Sequence, residues 1–441
     1  MLSEKFFKIR LEYLWKKKYS ISPLAIIHFL EKSQYLSRNQ IERYQLEKIK
    51  FIINHAINYS TYYQDKFKTK QEIRILGDMI ELPYLSKEII RENAEDIFIK
   101  SDQKKYFTHT TSGSTGDPLV VFVDPLTQAF RIADFISRLG WWGIYPSDKN
   151  VLIWGKKDTN QVKRIHPLKR IIKNIYQRNF FINVFDLNSK TISDLYYEIR
   201  NFHPIYIRGY TSAVLQFAEL LKNQRLEGSK LKIQHAIVTS EVLLDEQRKF
   251  IEEELKCNVI NEYGAAETGL IAFECPLGKM HINEESLYIF SNEYRELIIT
   301  DLNNVKMPII NYNIGDKVEI SNEVCTCGRH LRVIKKIDGR IGDFIIKPNG
   351  EHLSQYTIYY IVKELDDLGF SRNIKKYKLI QKGTNFDFIF VKDIAYHDGV
   401  KSYIAEKLYS EIGKNININF HSVEKIPRDT SGKIRFFVRQ E

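Results

Sequence analysis

The sequence predicts an α/β architecture with a smaller α+β unit at its end, and three observations carry that expectation. Short β-rich runs alternate with helical patterns from residue 106 onward, the arrangement of a layered α/β sheet. Residues 344–441 have their own strand and helix pattern. The composition is globular: of 441 residues, 43% are hydrophobic and 27% charged, which excludes a mostly disordered or collagen-like chain. The 26 Tyr and 26 Phe supply large cores and flat pockets.

Residues 1–75 read as helical. Ile41, Tyr44, Leu46, Ile49, Ile52, Ile53, Ala56 and Ile57 recur at helical spacing over 41–63. The first 18 residues mix six basic and two acidic side chains with Phe, Leu, Tyr and Trp. Such a helix either packs with one face in solvent or lies on a membrane surface. Tyr106–Thr110 and Leu119–Asp124 read as strands around the loop Thr111–Pro118. Ala129–Trp142 reads as a helix. Val151–Trp154, Ile182–Phe185 and Pro204–Arg208 read as short strands. Ser212–Lys222 and Asp245–Leu255 read as helices, with His235–Thr239 a buried strand between them. Residues 286–346 are strand-rich, with turns expected at Asn303-Asn304 and Asp338-Gly339. In the last unit, Gln355–Leu365 and Val400–Ile412 read as helices, and Lys376–Lys382 and Asp387–Lys392 as paired strands.

With 66 Lys+Arg against 55 Asp+Glu, the formal charge is +11. That suits a nucleic acid, an anionic membrane face, acidic small substrates, or simply a basic surface. The segment Gly155–Phe181 concentrates Lys156, Lys157, Lys163, Arg164, Lys169, Arg170, Lys173 and Arg178 against Asp158. It is a solvated basic stretch, or it attracts phosphate groups, an acidic protein or a membrane. No nucleic-acid reader motif accompanies it, so no nucleic-acid partner is expected. No run approaches the roughly 18–20 apolar residues that span a bilayer. The first residues lack the unbroken apolar run of a signal peptide. Four cysteines are too few for a disulfide framework. The expectation is a cytoplasmic protein.

The loop Thr111-Ser112-Gly113-Ser114-Thr115-Gly116 is suited to phosphate. Its glycines let the backbone approach an anion, and its N–H groups and hydroxyls donate to phosphate oxygens. It lacks the Gly-Lys-Ser/Thr ending of a Walker A loop. Downstream follow Asn261-Glu262-Tyr263-Gly264-Ala265-Ala266-Glu267, Tyr312-Asn313-Ile314-Gly315-Asp316, Asp338-Gly339-Arg340-Ile341-Gly342-Asp343 and Pro427-Arg428-Asp429-Thr430-Ser431-Gly432-Lys433-Ile434-Arg435. These five segments, in this order, resemble the adenylate-forming superfamily of acyl-CoA synthetases. Ser240-Glu241-Val242-Leu243, Ile271–Pro276 and Cys325-Thr326-Cys327-Gly328-Arg329 are similar to its phenylacetate–coenzyme A ligase branch. That branch includes relatives encoded with capsular polysaccharide biosynthesis genes.

The resemblance implies a two-step ligase. A carboxylate attacks the α-phosphate of ATP to give acyl-AMP and pyrophosphate, and a thiol, that of coenzyme A, then displaces AMP. It implies that Thr111–Gly116 holds the β- and γ-phosphates, that Tyr263 stacks on adenine beside Gly264, and that Ser240 and Glu241 border the nucleotide. Glu267 would hold Mg²⁺, Asp316 the ribose hydroxyls, and Arg340 ribose or phosphate. Lys433 would be the catalytic lysine, a flexible point charge that reaches the carboxylate and the α-phosphate together. Two departures stand out: Ala266 replaces the usual Thr or Ser before the glutamate, with Thr268 near, and Gly342 replaces the usual Asp or Lys of the hinge. Neither removes a charge.

Cys275, His281, Cys325 and Cys327 are three thiols and one imidazole in two short clusters, with Cys257 outside them. That is the ligand set of a structural zinc; the alternative is the packing of small buried thiols. Trp141, Trp142, Tyr206, Gly209 and Tyr210 fall in segments that approach the acid, where aromatic walls suit an aryl or short apolar acid and equally suit a core. The expected organisation is a large AMP-binding domain over 1–338, a hinge at 339–343 around Gly342, and a small mobile domain over 344–441. The alternatives are transfer of the acyl group to a carrier-protein thiol or an amino sugar, and a basic binding scaffold without catalysis.

Overall fold

The computed structural model describes residues 2–67, 73–100, 105–110, 119–155, 178–340, 344–354, 356–367, 373–427 and 436–440. The chain forms two compact units. One comprises Met1–Ile314 and Val318–Ile337, the other Gly315–Lys317 and Asp338–Glu441.

The first unit opens with helices α1 (Leu2–Tyr19), α2 (Pro23–Ser33), α3 (Arg38–Tyr59), α4 (Thr61–Lys66), α5 (Lys87–Glu92) and α6 (Ala94–Ile97). Ser22 accepts a hydrogen bond from Ala25 N, and Pro23 sits in the first turn, so α2 starts where a side chain satisfies an orphan N–H. The helix expected over 41–63 divides at Ser60. Ser60 is extended (φ −113°, ψ 124°), and its hydroxyl donates to the Asp96 carbonyl at 2.7 Å, a tertiary bond made at the break between the two helices. Trp15 of α1 stacks on Phe107, while Ile9, Tyr13 and Leu14 remain exposed. Among the described residues no helix is long and apolar enough to cross a membrane.

Strands β1 (Phe107–Thr110) and β2 (Val120–Val123) form a separate antiparallel pair. Helix α7 (Pro125–Leu139) follows, capped by Asp124, which accepts from Leu126 N and Thr127 N at 2.8 and 3.0 Å. Then come β3 (Asn150–Trp154), β4 (Asn179–Asn183), α8 (Ile192–Phe202), β5 (Tyr206–Tyr210), α9 (Thr211–Asn223), β6 (His235–Thr239), α10 (Asp245–Leu255) and β7 (Asn258–Ala265). The chain continues through β8 (Gly269–Glu274), β9 (Met280–Ile282), β10 (Leu287–Ser291), β11 (Glu296–Asp301), β12 (Tyr312–Ser321) and β13 (Val333–Arg340). Strands β3 to β13 lie in one sheet in the order β10-β11-β12-β13-β9-β8-β7-β6-β5-β3-β4. From β4 to β7 the neighbours are parallel; β7, β8, β9 and β13 pair antiparallel.

Every residue of β6 is buried, as a parallel strand covered on both faces requires. Its alternation sorts two cores. Ala236 and Val238 join Val259 and Val214 on one face, while Ile237 joins Ile260, Tyr206 and Trp141 on the other. Gly209 permits β3 and β5 to approach closely: a Cβ there would lie 2.8 Å from the Ile153 carbonyl. Two local expectations are corrected. The run expected over 182–185 ends at Asn183, whose side chain accepts from Phe185 N and begins a 3₁₀ turn over Val184–Asp186. Asp338-Gly339, expected as a turn, lies inside β13, where strand context overrides the turn preference of the pair. The basic residues 156–177 lie outside the described residues.

Glu284 and Glu285, both buried, follow β9 and bind the helices to the sheet. Glu284 accepts from Arg38 of α3 at 2.6 Å and from Arg332 at 2.7 Å. Glu285 accepts from Arg138 of α7 at 2.7 Å and from Ser33 of α2 at 2.9 Å. Burial works against the Glu284 charge, but Arg332 and Arg38 outweigh it and hold its pKa below the ordinary value. Asp134, one turn before Arg138, accepts from Ser286 at 2.8 Å.

The second unit adds β14 (Phe344–Ile346), β15 (His352–Ser354), α11 (Tyr356–Asp367), β16 (Ile374–Lys382), β17 (Asn385–Lys392), α12 (Gly399–Ile412), β18 (Asn417–Ser422) and β19 (Phe437–Gln440). Its four-stranded sheet runs β18-β17-β16-β19. Phe386, Phe388, Phe390 and Leu379 pack against Ile404 and Leu408 of α12 in its core. Gln381, buried, exchanges two hydrogen bonds with the Ile346 backbone and so fastens β14 to this sheet.

Asp134 generates a pH prediction. Burial raises its pKa to about 7 from an ordinary 3.8, so the folded state holds a proton that the unfolded chain has lost. Stability is therefore greatest below about pH 4 as far as this group is concerned, and declines as pH rises toward 7. Asp134→Asn should flatten that decline in chemical denaturation run from pH 5 to pH 8. An unchanged pH slope would show that Asp134 is not its source.

Candidate active site

The site is built on the carboxyl ends of the parallel strands. β7 delivers Asn261, Glu262 and Tyr263, and the turn Ala266-Glu267-Thr268 returns the chain into β8. The pairing register slips between Tyr263 and Gly264, a bulge that sharpens the turn. Gly264 follows Tyr263 at this bulge. Its structural constraint is backbone approach, since a Cβ there would lie 2.9 Å from the Gly269 carbonyl. Arg131 of α7 braces the turn from beneath. It donates to the carbonyls of Ala266 at 3.2 Å and Glu267 at 2.6 Å, and pairs with Asp301 at 3.5 Å.

The Glu267 carboxylate is buried at the tip of this turn. Tyr312 donates its hydroxyl to Oε1 at 3.1 Å, and Lys87 of α5 lies 3.3 Å from the same atom. Sequence reasoning missed Lys87 and Arg131, which come from distant segments and carry no local motif, and quoted Tyr312 within a motif without assigning it to Glu267. Thr268, next to Glu267, buries its hydroxyl without a hydrogen-bond partner among the described residues. An anionic oxygen on a fixed turn suits a hard divalent cation such as magnesium.

Ser240 follows β6 in the left-handed region (φ 69°), an unusual conformation for a non-glycine residue. Glu241 is drawn back onto the start of α9: its carboxylate accepts from Ser212 N at 2.6 Å and Ser212 Oγ at 3.0 Å. Asp316 is buried on β12. Arg340 is the last residue of β13, and its side chain lies outside the described residues, as do Thr111–Gly116, Gly342 and Lys433.

Of the aromatic residues expected near the acid, Tyr210 stands at the carboxyl end of β5, its ring 4.4 Å from Trp154 at the end of β3. Tyr206 lies at the opposite end of β5, paired with His235, in the core. Trp141 packs beside the cysteine cluster, 5.7 Å from His281 and 4.4 Å from the Arg329 guanidinium. Between Tyr210 and β7 lies a pair that sequence reasoning did not single out. Arg208 donates to Glu262 through Nε at 2.8 Å and Nη2 at 2.6 Å, and its guanidinium lies 4.3 Å from the Phe135 ring. A charged residue inside the apolar strand Tyr-Ile-Arg-Gly-Tyr was the available signal.

Cys275, His281, Cys325 and Cys327 converge, with their ligand atoms all within 4.8 Å of one another. Cys275 Sγ and Cys325 Sγ are 4.0 Å apart, and Cys327 Sγ is 3.3 Å from His281 Nε2. Thiolates around a tetrahedral zinc stand about 3.8 Å apart, so the set is close to that geometry. The Leu331 carbonyl accepts from His281 Nδ1 at 3.0 Å, which turns Nε2 toward the thiols. Burial lowers the His281 pKa to about 4, leaving a neutral imidazole at pH 7, the form that ligates metal. Cys257 stands apart and packs against the helices of the other face.

A long sheet whose parallel half ends in these groups, followed by the small α+β unit, has the fold of the adenylate-forming CoA ligases. Solved 2-hydroxyisobutyryl-CoA ligase, in its postadenylation state with an acyl-adenylate, superposes with a TM-score of 0.72 over 92% of this chain and 90% of that one, at 14% identity. Anthranilate CoA ligase bound to anthranoyl-AMP reaches 0.51 at 12% identity, over 84% of this chain and 75% of that one. The homologues of this chain are CapK and the phenylacetate-coenzyme A ligases. Protein CapK of Staphylococcus aureus is 25% identical over 431 residues, covering 93% of this chain and 92% of that protein. The phenylacetate-coenzyme A ligase of Pseudomonas putida is 24% identical over 341 residues, 72% of this chain and 74% of its own length. Residues 345–440 match the CapK C-terminal domain.

The bulge constrains Gly264 tightly. Gly264→Ala should displace the Gly269 carbonyl and cost about 1–3 kcal/mol, as overpacking does. Thermal unfolding of the two proteins tests this, and equal midpoints would show that the turn yields freely.

Proposed function

We propose that this protein is an AMP-forming acid–thiol ligase. It joins a carboxylic acid to the α-phosphate of ATP, releases pyrophosphate, and passes the acyl group to the thiol of coenzyme A. The observation that carries this reading is the buried Glu267 carboxylate on a braced turn, four residues after Tyr263 at the end of a parallel strand. The names of the phenylacetate-coenzyme A ligases, at 21–24% identity, support the reaction class.

Each residue has a task in that scheme. Tyr263 offers an aromatic face to adenine, and Asp316 a carboxylate to the ribose hydroxyls. The Thr111–Gly116 loop donates to the β- and γ-phosphates, and Arg340 to ribose or phosphate. Glu267 is the residue to hold Mg²⁺, which supplies neutralisation of the phosphate charge. Arg131 and Tyr312 keep that carboxylate in place. Ser240 and Glu241 border the nucleotide, the latter anchored by Ser212. Lys433 stabilises the charge that develops as the carboxylate oxygen attacks phosphorus. Rotation about Gly342 then removes the lysine for thiol transfer. A place in surface-polysaccharide synthesis rests on the likeness to CapK.

We also propose that Cys275, His281, Cys325 and Cys327 hold one structural zinc. The set joins the end of β8 and β9 to the segment before β13 and leaves no role in the chemistry above, so it serves stability.

Three experiments follow. Pyrophosphate release with a panel of carboxylic acids tests the reaction, and tight polyanion binding without turnover would favour the scaffold instead. Lys433→Ala should slow adenylation by about 10²–10³ while sparing transfer from preformed acyl-AMP; equal losses in both half-reactions would remove the division of labour. Elemental analysis should find about one zinc per chain, lost together with thermal stability in Cys325→Ser. Active protein of equal stability with no zinc would show that the four residues only pack.

A further inference from the structure

The parallel strands change direction of winding between β3 and β5. β3 leads outward to β4, whereas β5 leads the other way to β6 and β7. In open α/β sheets the crevice at the carboxyl ends beside such a switch point is where a ligand sits. Here the two strands end in Trp154 and Tyr210, whose rings touch. Across β6, Tyr210, Thr239 and Glu262 stand in one register row. Arg208 reaches along that row to Glu262, and Phe135 of α7 covers its guanidinium.

An apolar acid needs no ion pair in this place, and taking two charges out of water is costly. The pair is also unevenly closed. The Glu262 side chain is 8% exposed and the Arg208 side chain 27%, so the open side of the pair is the guanidinium. Arginine has five N–H donors, and Glu262 takes one from Nε and one from Nη2. Among the described residues nothing accepts from Nη1. Thr239 lies 3.4 Å from Glu262 Oε1 and completes the acceptor side. What remains is a pair of zero net charge that presents donors between aromatic walls.

We infer that Arg208 reads a neutral oxygen on the acyl part of the substrate, so that the preferred acid is a hydroxy or keto acid rather than a hydrocarbon acid. The inference rests on the ligase reading above and deepens it. Glu262 fixes the guanidinium plane, and Phe135 keeps it from folding away. Nη1 then donates to the substrate oxygen. Glu262 already neutralises the arginine, so a second carboxylate on the acid gains little there. A hydrocarbon acid strands the donors, which is how sites built to bond an oxygen reject analogues that lack it.

Matched acids test this on the full chain: 3-phenylpropanoate against 3-phenyllactate, phenylacetate against 4-hydroxyphenylacetate, and butyrate against 3-hydroxybutyrate, with succinate as the dicarboxylate. Both kcat/KM for pyrophosphate release and calorimetric binding of each acid are measured. At least one oxygenated acid should be preferred about tenfold or more over its partner. The preference should collapse in Arg208→Met and in the double variant Arg208→Gln with Glu262→Gln. The double variant leaves no lone buried charge and so guards against simple misfolding. No preference in any pair, the same preference in wild type and variants, or succinate as the best acid would each overturn the inference. Binding preference without pyrophosphate from any acid would instead sink the ligase reading and keep the assignment of Arg208. Turnover without preference would do the reverse.

Discussion

Glu284 and Glu285 are the constraint on which the first unit depends. Two adjacent carboxylates, both buried, receive Arg38, Arg332, Arg138 and Ser33, and so bind α2, α3 and α7 to the sheet. Gln45 adds hydrogen bonds to the Glu284 and Leu287 carbonyls from the middle of α3. Buried charges of this kind add little net stability over apolar packing, but removing one partner strands the rest. The network therefore specifies position. It sets α7 over the sheet, and α7 carries both Arg131 beneath the Glu267 turn and Phe135 over Arg208.

The site shows the same division between framework and chemistry. The parallel strands end in Tyr210, Thr239 and the segment Glu262-Tyr263, while antiparallel β8 returns the chain so that Glu267 stands at a fixed turn. Two backbone constraints stand beside the site: Ser240 in the left-handed region and the tight approach of Gly264 to Gly269. Both lie at the mouth of the strands. The cysteine and histidine cluster stands at the far end of β8, where it ties β9 and the approach to β13 together.

Much of this was legible in the sequence because it is local. Alternation and helical spacing place most elements, since period 2 and period 3.6 are properties of the backbone itself. Asp124-Pro125 marks the start of α7 through a cap and a fixed φ. Tyr263, Glu267 and Asp316 were singled out through their motifs, each a run of neighbouring residues that forms one turn or strand. The four zinc candidates were found by residue type alone.

Tertiary structure decided what depends on residues far apart in the chain. The helix breaks at Ser60, where the hydroxyl meets the distant Asp96 carbonyl, and Asp338-Gly339 stays extended inside a sheet. Trp141 and Tyr206 are aromatic like Tyr210, yet only packing sends them to the cluster and the core. Arg208 and Glu262 are 54 residues apart, and Lys87 meets Glu267 across a far longer separation. Side-chain partnership of that kind is set by which strands lie side by side and which helix covers them. The sequence determined the class of fold and the residue types of its chemistry; the packing determined which charges face one another, because Coulomb and hydrogen-bond energies fall away within a few ångströms.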